Sequence, residues 1–182
     1  MALTGAVAVQ APAAAAGLDG TYAIKNKKSG LCVDVPGYGA GYAGAPVTQF
    51  RCNFTTADNQ RWTFLPRGTF SPYAGAPSYN QYVIRNAKDG LCLDVPGVGD
   101  NPNGALVSEY RCAGDSSKDN QRWYTVVRTA SDGRTGVWIV NSKSRKCLDV
   151  AGYGAGSGAR LTLYTCTDSK ADDHYWSITS KP

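Results

Sequence analysis

Short runs in which apolar and polar side chains alternate recur along this chain, each broken after a few residues by glycine, serine, asparagine or proline. Before the first cysteine, Tyr22, Ile24 and Asn26 face one way and Ala23 and Lys25 the other. Tyr82, Ile84 and Asn86 repeat the arrangement, as do Val137, Ile139 and Asn141. A period of two marks a half-buried strand. Turns follow at Ser29-Gly30, Asp89-Gly90 and Ser144-Arg145. Next come a short strand Cys-Φ-Asp-Val (Φ apolar), a Gly-rich loop, a strand into a second cysteine, a polar loop and a strand that opens on tryptophan. No stretch of useful length has helical period, so the pattern predicts an all-β fold of about four short strands per unit.

The units align in register. The first holds Leu31-Cys32-Val33-Asp34-Val35-Pro36-Gly37, Phe50-Arg51-Cys52 and Asn59-Gln60-Arg61-Trp62. The second holds Leu91-Cys92-Leu93-Asp94-Val95-Pro96-Gly97, Tyr110-Arg111-Cys112 and Asn120-Gln121-Arg122-Trp123. The third holds Lys146-Cys147-Leu148-Asp149-Val150-Ala151-Gly152, Tyr164-Thr165-Cys166 and Asp173-His174-Tyr175-Trp176. From Cys32 to Cys92 is 60 positions and from Cys92 to Cys147 is 55, the scale of one supersecondary unit. A unit this small cannot bury its own apolar face, so three pack about a shared core. Trp62, Trp123 and Trp176 are its largest members, each able to bury up to about 250 Å². The repeats span about 20–66, 80–127 and 135–180, within one domain over 18–182.

Composition changes this picture little. A chain of 182 residues with 21 glycines suits one medium domain of strands and turns. The net charge of +5 is spread thinly, with small clusters at Lys25/Lys27/Lys28 and Lys143/Arg145/Lys146. Without a basic stripe interleaved with stacking aromatics, nucleic acid is not an expected partner. Residues 1–17 carry no charge and are rich in Ala, Val, Gly and Pro. They read as a truncated signal-like leader or a flexible Ala-rich arm, too short for a membrane span. No later stretch reaches spanning length.

Six cysteines allow 15 pairings, and the repeat selects one: Cys32–Cys52, Cys92–Cys112 and Cys147–Cys166. Each closed loop contributes about 3 kcal/mol on a chain-entropy estimate. A zinc site is not expected, since there is no C-x-x-C pair and His174 is the only histidine; no cofactor is implied. Regular cysteine pairs beside a signal-like start point to secretion into an oxidising, extracellular setting.

Three Gln-x-Trp-type motifs in register, each with Cys-Φ-Asp-Val and an aromatic two positions before the second cysteine, resemble the ricin B-type lectins. These are the β-trefoils also found as family 13 carbohydrate-binding modules, and the match runs over residues 20–180. The resemblance implies a β-trefoil of three pseudo-symmetric repeats, a six-stranded barrel closed by three hairpins, with the same disulfides. It also implies a sugar stacked on the aromatic. The motif Asp and the Asn before Gln-x-Trp hold the sugar's hydroxyls, and the Gln braces the Asp.

Carried over, the first site comprises Asp34, Phe50, Asn59 and Gln60; the second Asp94, Tyr110, Asn120 and Gln121; the third Asp149, Tyr164, Asp173 and His174. An ionised Asp accepts from neighbouring hydroxyls in charge-assisted bonds, and an aromatic face covers the C–H side of a sugar ring. A Gln common in the family four positions before the second cysteine is here Thr48, Ser108 or Thr162. Tyr38, Tyr42 and Tyr153 stand where they would widen a site. The second copy keeps every part. In the third, Asp173 beside Asp149 sets two carboxylates together, so that one takes up a proton, and His174 introduces pH sensitivity. The third site is therefore expected to be the weakest or to bind something else. Gln60 and Gln121 read as structural braces rather than sugar contacts, and turn capping is the alternative role of the Asp residues.

The reading is a secreted carbohydrate-binding lectin with up to three shallow sites, gaining avidity on polysaccharides or clustered glycans. Relatives take galactose, xylose, arabinose or mannose units. The alternatives are a glycan-targeting or adaptor subunit of a larger secreted assembly or toxin, or a trefoil that has lost sugar binding and binds protein. The Pro- and aromatic-rich segment from Leu65 to Asn80 is a partner surface or a rigid connector. An enzyme is not expected: glycosidases need two facing carboxylates, and the three motif Asp residues lie in separate copies.

Overall fold

The computed structural model describes residues 17–53, 55–114, 120–154, 156–169 and 171–180; apart from Gly17, the leader expected at 1–17 lies outside them. Each repeat contributes four strands. The first gives β1 Gly20–Asn26, β2 Cys32–Asp34, β3 Thr48–Phe50 and β4 Trp62–Phe70. The second gives β5 Tyr79–Asn86, β6 Cys92–Asp94, β7 Ser108–Tyr110 and β8 Trp123–Thr129. The third gives β9 Thr135–Asn141, β10 Cys147–Val150, β11 Leu161–Tyr164 and β12 Trp176–Thr179. One 3₁₀ turn, Ala151–Tyr153, is the only helical element among the described residues.

Antiparallel pairing runs β1–β4–β5–β8–β9–β12 and returns from β12 to β1. Six strands thus close a barrel and leave no edge open in that ring. The pairs β2–β3, β6–β7 and β10–β11 form three hairpins. Single bridges Pro46↔Ser108, Thr48↔Arg160 and Leu106↔Thr162 join the hairpins to one another. This is the β-trefoil implied by the sequence.

Equivalent residues from the three copies fill the core: Ile24, Ile84 and Ile139; Val33, Leu93 and Leu148; Val35, Val95 and Val150; and the three tryptophans, all at most 1% exposed. Each indole N–H donates to a backbone carbonyl in its own repeat: Trp62 to Val33, Trp123 to Leu93 and Trp176 to Leu148, at 3.1, 3.0 and 2.9 Å. The ring thereby buries its apolar body without orphaning its donor.

The Asn of each Ile-x-Asn strand end ties one repeat to the one before it. Asn86 Nδ2 donates to the Asn59 carbonyl and Asn141 Nδ2 to the Asn120 carbonyl, both at 2.8 Å, and Asn26 closes the cycle on the Asp173 carbonyl. The side-chain oxygens accept from the following turn, for example Lys28 N–H and Ser29 N–H on Asn26. The turn needs a left-handed residue. Gly30 and Gly90 supply it at φ 73 and 78°, whereas Arg145 does so at 58° with the strain of a side chain there.

All three disulfides join the expected partners, Cys32–Cys52, Cys92–Cys112 and Cys147–Cys166, with Cα separations of 5.1, 5.1 and 5.2 Å. The segment from Leu65 to Asn80 is largely an extension of the β4–β5 hairpin with an irregularity between Pro66 and Thr69. Phe70 and Tyr79 each pack 5.3 Å from Tyr124, in a second apolar cluster with Trp138, Val140 and Tyr175. Two of its aromatics are therefore spent within the molecule, while Tyr73 remains exposed.

Candidate functional site

Each hairpin carries its candidate residues in register. Asp34 pairs with Thr48, Asp94 with Ser108 and Asp149 with Thr162. Two positions beyond the Ser or Thr stand Phe50, Tyr110 and Tyr164, which lie 48, 49 and 42% exposed, whereas the three Asp residues are buried. Alternation along the strand places Asp, Ser/Thr and aromatic on one face. The single bridges extend that row into a neighbouring repeat, so each hollow lies between two copies.

The first hollow is a cavity of about 210 Å³ walled by Asp34, Tyr38, Thr48, Phe50 and Asp58, with Gly158 reaching in from the third repeat. The third is about 410 Å³, walled by Asp149, Tyr153, Thr162, Tyr164 and Asp172, with Gly104 and Leu106 from the second repeat. Tyr38 and Tyr153 thus flank hollows as expected. Tyr42 is exposed but is not on the wall of the first, and the second repeat has the exposed Val98 at the position of Tyr38 and Tyr153.

The Asn and Gln positions are buried behind these walls. Asn59 Nδ2 donates to the carbonyls of Val35 and Gly37, at 3.1 and 2.9 Å. Asn120 Nδ2 donates to Val95, Gly97 and Asn101 Oδ1, at 3.2, 2.7 and 3.0 Å. Both amides therefore hold the loop that follows the motif Asp. Gln60 donates to the Arg51 carbonyl and accepts from Asn53 N–H; Gln121 does the same with Arg111 and Ala113. The glutamines clip together the backbone on either side of the second cysteine. Burial pushes the Asp34 carboxyl up to about 6, with a hydrogen bond from Gln60 pulling it back and the charge of Asp58 adding to the rise.

Asp58 and Asp172 are wall residues that the motif reading passed over. Asp58 accepts from Asn59 N–H and from Asn53 Nδ2, so both its oxygens are engaged. An aspartate recurs at this place in each copy (Asp58, Asp119, Asp172), and that recurrence was the available signal. Its presence corrects one sequence argument: the motif carboxylates are separated by repeat, yet each of the two described hollows holds a second acid.

The third site departs chemically. Asp173 replaces an amide, and neither of its buried oxygens makes a well-formed hydrogen bond. Burial and the neighbouring Asp149 raise its carboxyl to about 7, against opposing pulls from Lys28 and the Val150 backbone N–H. A proton on Asp173 gives it a hydrogen bond to donate to Asp149. His174 is fully buried, with its ring 5.5 Å from Trp138 and 5.8 Å from Tyr175. Its Nε2 lies 2.6 Å from the Thr167 carbonyl and its Nδ1 3.6 Å from Asp149 Oδ1. Burial opposes its charging, but Asp149, the Thr167 carbonyl and Asp172 together hold its pKa above the ordinary value. Behind the carboxylates, it braces the site rather than facing the hollow. Tyr153 adopts φ 55° and carries the Lys28 ammonium 5.1 Å from its ring centre, so the third site draws residues from all three repeats.

A shallow hollow with an open aromatic face and buried acceptors suits a polyhydroxylated ring. Among the described residues no group of three or more His, Cys, Asp or Glu is placed to hold a metal, and no helix is long and apolar enough to cross a membrane.

The family model described as ricin-type beta-trefoil lectin domain-like matches residues 12–74 and 58–164. Among solved structures, the chain is similar to the designed three-fold symmetric protein ThreeFoil, at 27% identity over 89% of this chain and 99% of that one, with a TM-score of 0.68. It is similar to a mosquitocidal holotoxin at 21% identity over 92% of this chain, with a TM-score of 0.66, and it spans only 18% of that protein's length. The Rhizoctonia solani agglutinin matches at 19% identity over 91% of this chain and 98% of its own, with a TM-score of 0.63. No curated protein sequence shows significant similarity. With three Gln-x-Trp-type repeats closed into a trefoil and a family match over most of its length, this chain belongs to the ricin-type β-trefoil lectin domain-like family.

Proposed function

We propose that the chain is a secreted lectin that binds carbohydrate at up to three shallow sites and carries out no reaction itself. The observation that carries this reading is the half-exposed aromatic set beside a buried aspartate in each hairpin, with a walled cavity at Phe50 and Asp34 and another at Tyr164 and Asp149. The ring stacks on the aromatic, its hydroxyls donate to the carboxylate, and the Asn and Gln positions fix the walls. Three disulfides agree with an extracellular setting. A single shallow site binds near mM, about 4 kcal/mol, so polysaccharides or clustered glycans are better targets than free sugar.

A glycan array on the wild type, with Asp34→Ala, Asp94→Ala and Asp149→Ala singly and together, tests the reading. Each single variant is expected to lose one site in titration and the triple variant to lose all binding. Retention of glycan binding by the triple variant refutes the site assignment, and no glycan binding by the wild type refutes the lectin. The same titrations test the proposed order of strength: second site, then first, then third.

The first site is expected to weaken in acid. Its acceptor is the ionised Asp34, whose folded-state value near 6 leaves about a tenth of it ionised at pH 5 and nine-tenths at pH 7. A ligand that needs the ionised form then shows about a tenfold higher Kd at pH 5. Titration of the Asp94→Ala/Asp149→Ala variant at both pH values checks this; a flat profile removes Asp34 as the acceptor.

A second reading, a glycan-targeting module of a larger secreted assembly, rests on the similarity to the holotoxin, of which this chain matches 18%. Native mass spectrometry of the secreted material decides between a lone lectin and a subunit.

A further inference from the structure

On the far side of Asp58 from the first hollow lies a separate polar pocket of about 290 Å³, walled by Thr21, Thr56, Asp58, Arg61, Ala87 and Lys88. Asp58 is on the wall of both, so the two are neighbours across one side chain. Its oxygens are already held by Asn59 N–H and Asn53 Nδ2. Arg61 and Lys88 are brought together by the repeat junction, where Ala87 N–H donates to the Arg61 carbonyl at 2.8 Å. Neither cation has an ion pair or a side-chain hydrogen bond among the described residues.

The equivalent junctions are built differently. Between the third and first repeats Tyr175 replaces Arg61 and donates to Asp168, while Lys28 is tied to the Ala171 carbonyl. Between the second and third, Arg122 has a partner and Gln81 replaces Thr21, donating to Ser142. Among the described residues, the first junction alone presents a guanidinium and an ammonium with no partner into a cavity beside a sugar-sized hollow. A planar guanidinium with a mobile ammonium is suited to the oxygens of a carboxylate or sulfate.

We propose that this pocket receives the anionic group, a uronate carboxylate or a sulfate ester, of an acidic sugar linked to the one held in the first hollow. The inference rests on the carbohydrate reading of that hollow. It makes the first site selective for acidic glycans, with Asp34 and Phe50 holding one ring and Arg61 and Lys88 reading the charge on the next.

The test uses the full chain with Asp94→Ala and Asp149→Ala, so that only the first site binds. Four probes are titrated: a glucuronic acid-bearing disaccharide, its carboxyl-reduced form, a sulfated disaccharide and its unsulfated parent. At low salt at least one acidic probe is expected to bind about tenfold more tightly than its neutral parent, the advantage shrinking at 0.5 M salt, an ionic strength at which exposed pairs are screened. Which probe gains tells carboxylate from sulfate. Adding Arg61→Gln and Lys88→Gln removes the advantage and leaves the neutral affinity unchanged. Removing two charges elsewhere, with Arg85→Gln and Lys143→Gln, keeps it. Equal binding of acidic and neutral probes, or an advantage that survives loss of Arg61 and Lys88, overturns this inference and leaves the lectin intact. Binding of none of the four overturns this inference, while the glycan array on the wild type decides the lectin reading separately.

Discussion

Replacing Glu109 by glutamine is expected to stabilise the protein by about 2–3 kcal/mol at pH 7, with the gain fading toward pH 5. Glu109 is completely buried on β7, and neither of its oxygens meets a donor. It lies beneath the Gly-rich loop of the first repeat. A Cβ added to Gly41 would stand 1.7 Å from Glu109 Oε1, and Gly41 N–H donates to the nearby Asp89 at 2.8 Å. Burial first, and then the charge of Asp89, raise the Glu109 carboxyl to about 8.

The sign follows from proton counting. Between the ordinary value of 4.5 and the folded value near 8, the folded state holds a proton that the unfolded chain releases. Stability therefore falls as pH rises through that window and levels off above it. At pH 7 the full penalty is about 3 kcal/mol, to be discounted for relaxation. The first repeat shows the remedy at the same position. Gln49 donates to the carbonyls of Gly154 and Gly156 and accepts from Ser29, and in the third repeat Leu163 fills the place with an apolar side chain. Urea and thermal denaturation of Glu109→Gln and the wild type at pH 5, 7 and 9 read the effect, the thermal series showing a rise in Tm of about 4–10 °C at pH 7. Equal stability at pH 9 shows that the carboxyl has found water or a cation.

The scaffold was more legible than the site because its signals are local and repeated. Trp62, Cys32 and Asp34 recur at fixed offsets in every copy, and a residue that recurs while neighbouring loops vary answers to a shared geometry. The hollows are assembled by long-range pairs. The bridge of Thr48 to Arg160 spans two repeats, and no local pattern announces that Gly158 walls the first site or Leu106 the third. Asp58 was hidden for another reason: it lies one residue outside the Asn-Gln-x-Trp motif, and its local bond from Asn59 N–H says nothing of the hollow. Its second role as a wall depends on the loop folding back over the hairpin. The direction of the Asn59 and Asn120 amides was equally beyond reach, because carbonyls left free after the motif Asp become visible only once the loop is closed.

The third repeat offers the sharper test of that amide. Asp173→Asn is expected to raise stability by about 2 kcal/mol at pH 8 and to change it little below pH 5. In the first two repeats the equivalent Asn donates to loop carbonyls, at Val35 and Gly37 and at Val95 and Gly97. Asp173 cannot donate when ionised, is buried beside Asp149, and has its carboxyl raised by that burial to about 7. The folded state therefore binds a proton that the unfolded chain gives up above the ordinary value of 3.8, and stability declines from there to about pH 7. Half of the full linkage cost, about 2 kcal/mol, is a fair allowance for a pair that shares its proton. His174 also loses stabilisation as pH rises, since its partners raise its folded value, but those partners survive the substitution. Its titration by NMR is expected to stay above 6.5 in the variant, so the stability gain can be assigned to position 173. If Asp173→Asn is instead destabilising at pH 8, an amide there does not reach Val150 and Gly152. The 3₁₀ turn that carries Tyr153 at φ 55° then holds its own shape, and the third repeat has diverged in its loop as well as in its acid.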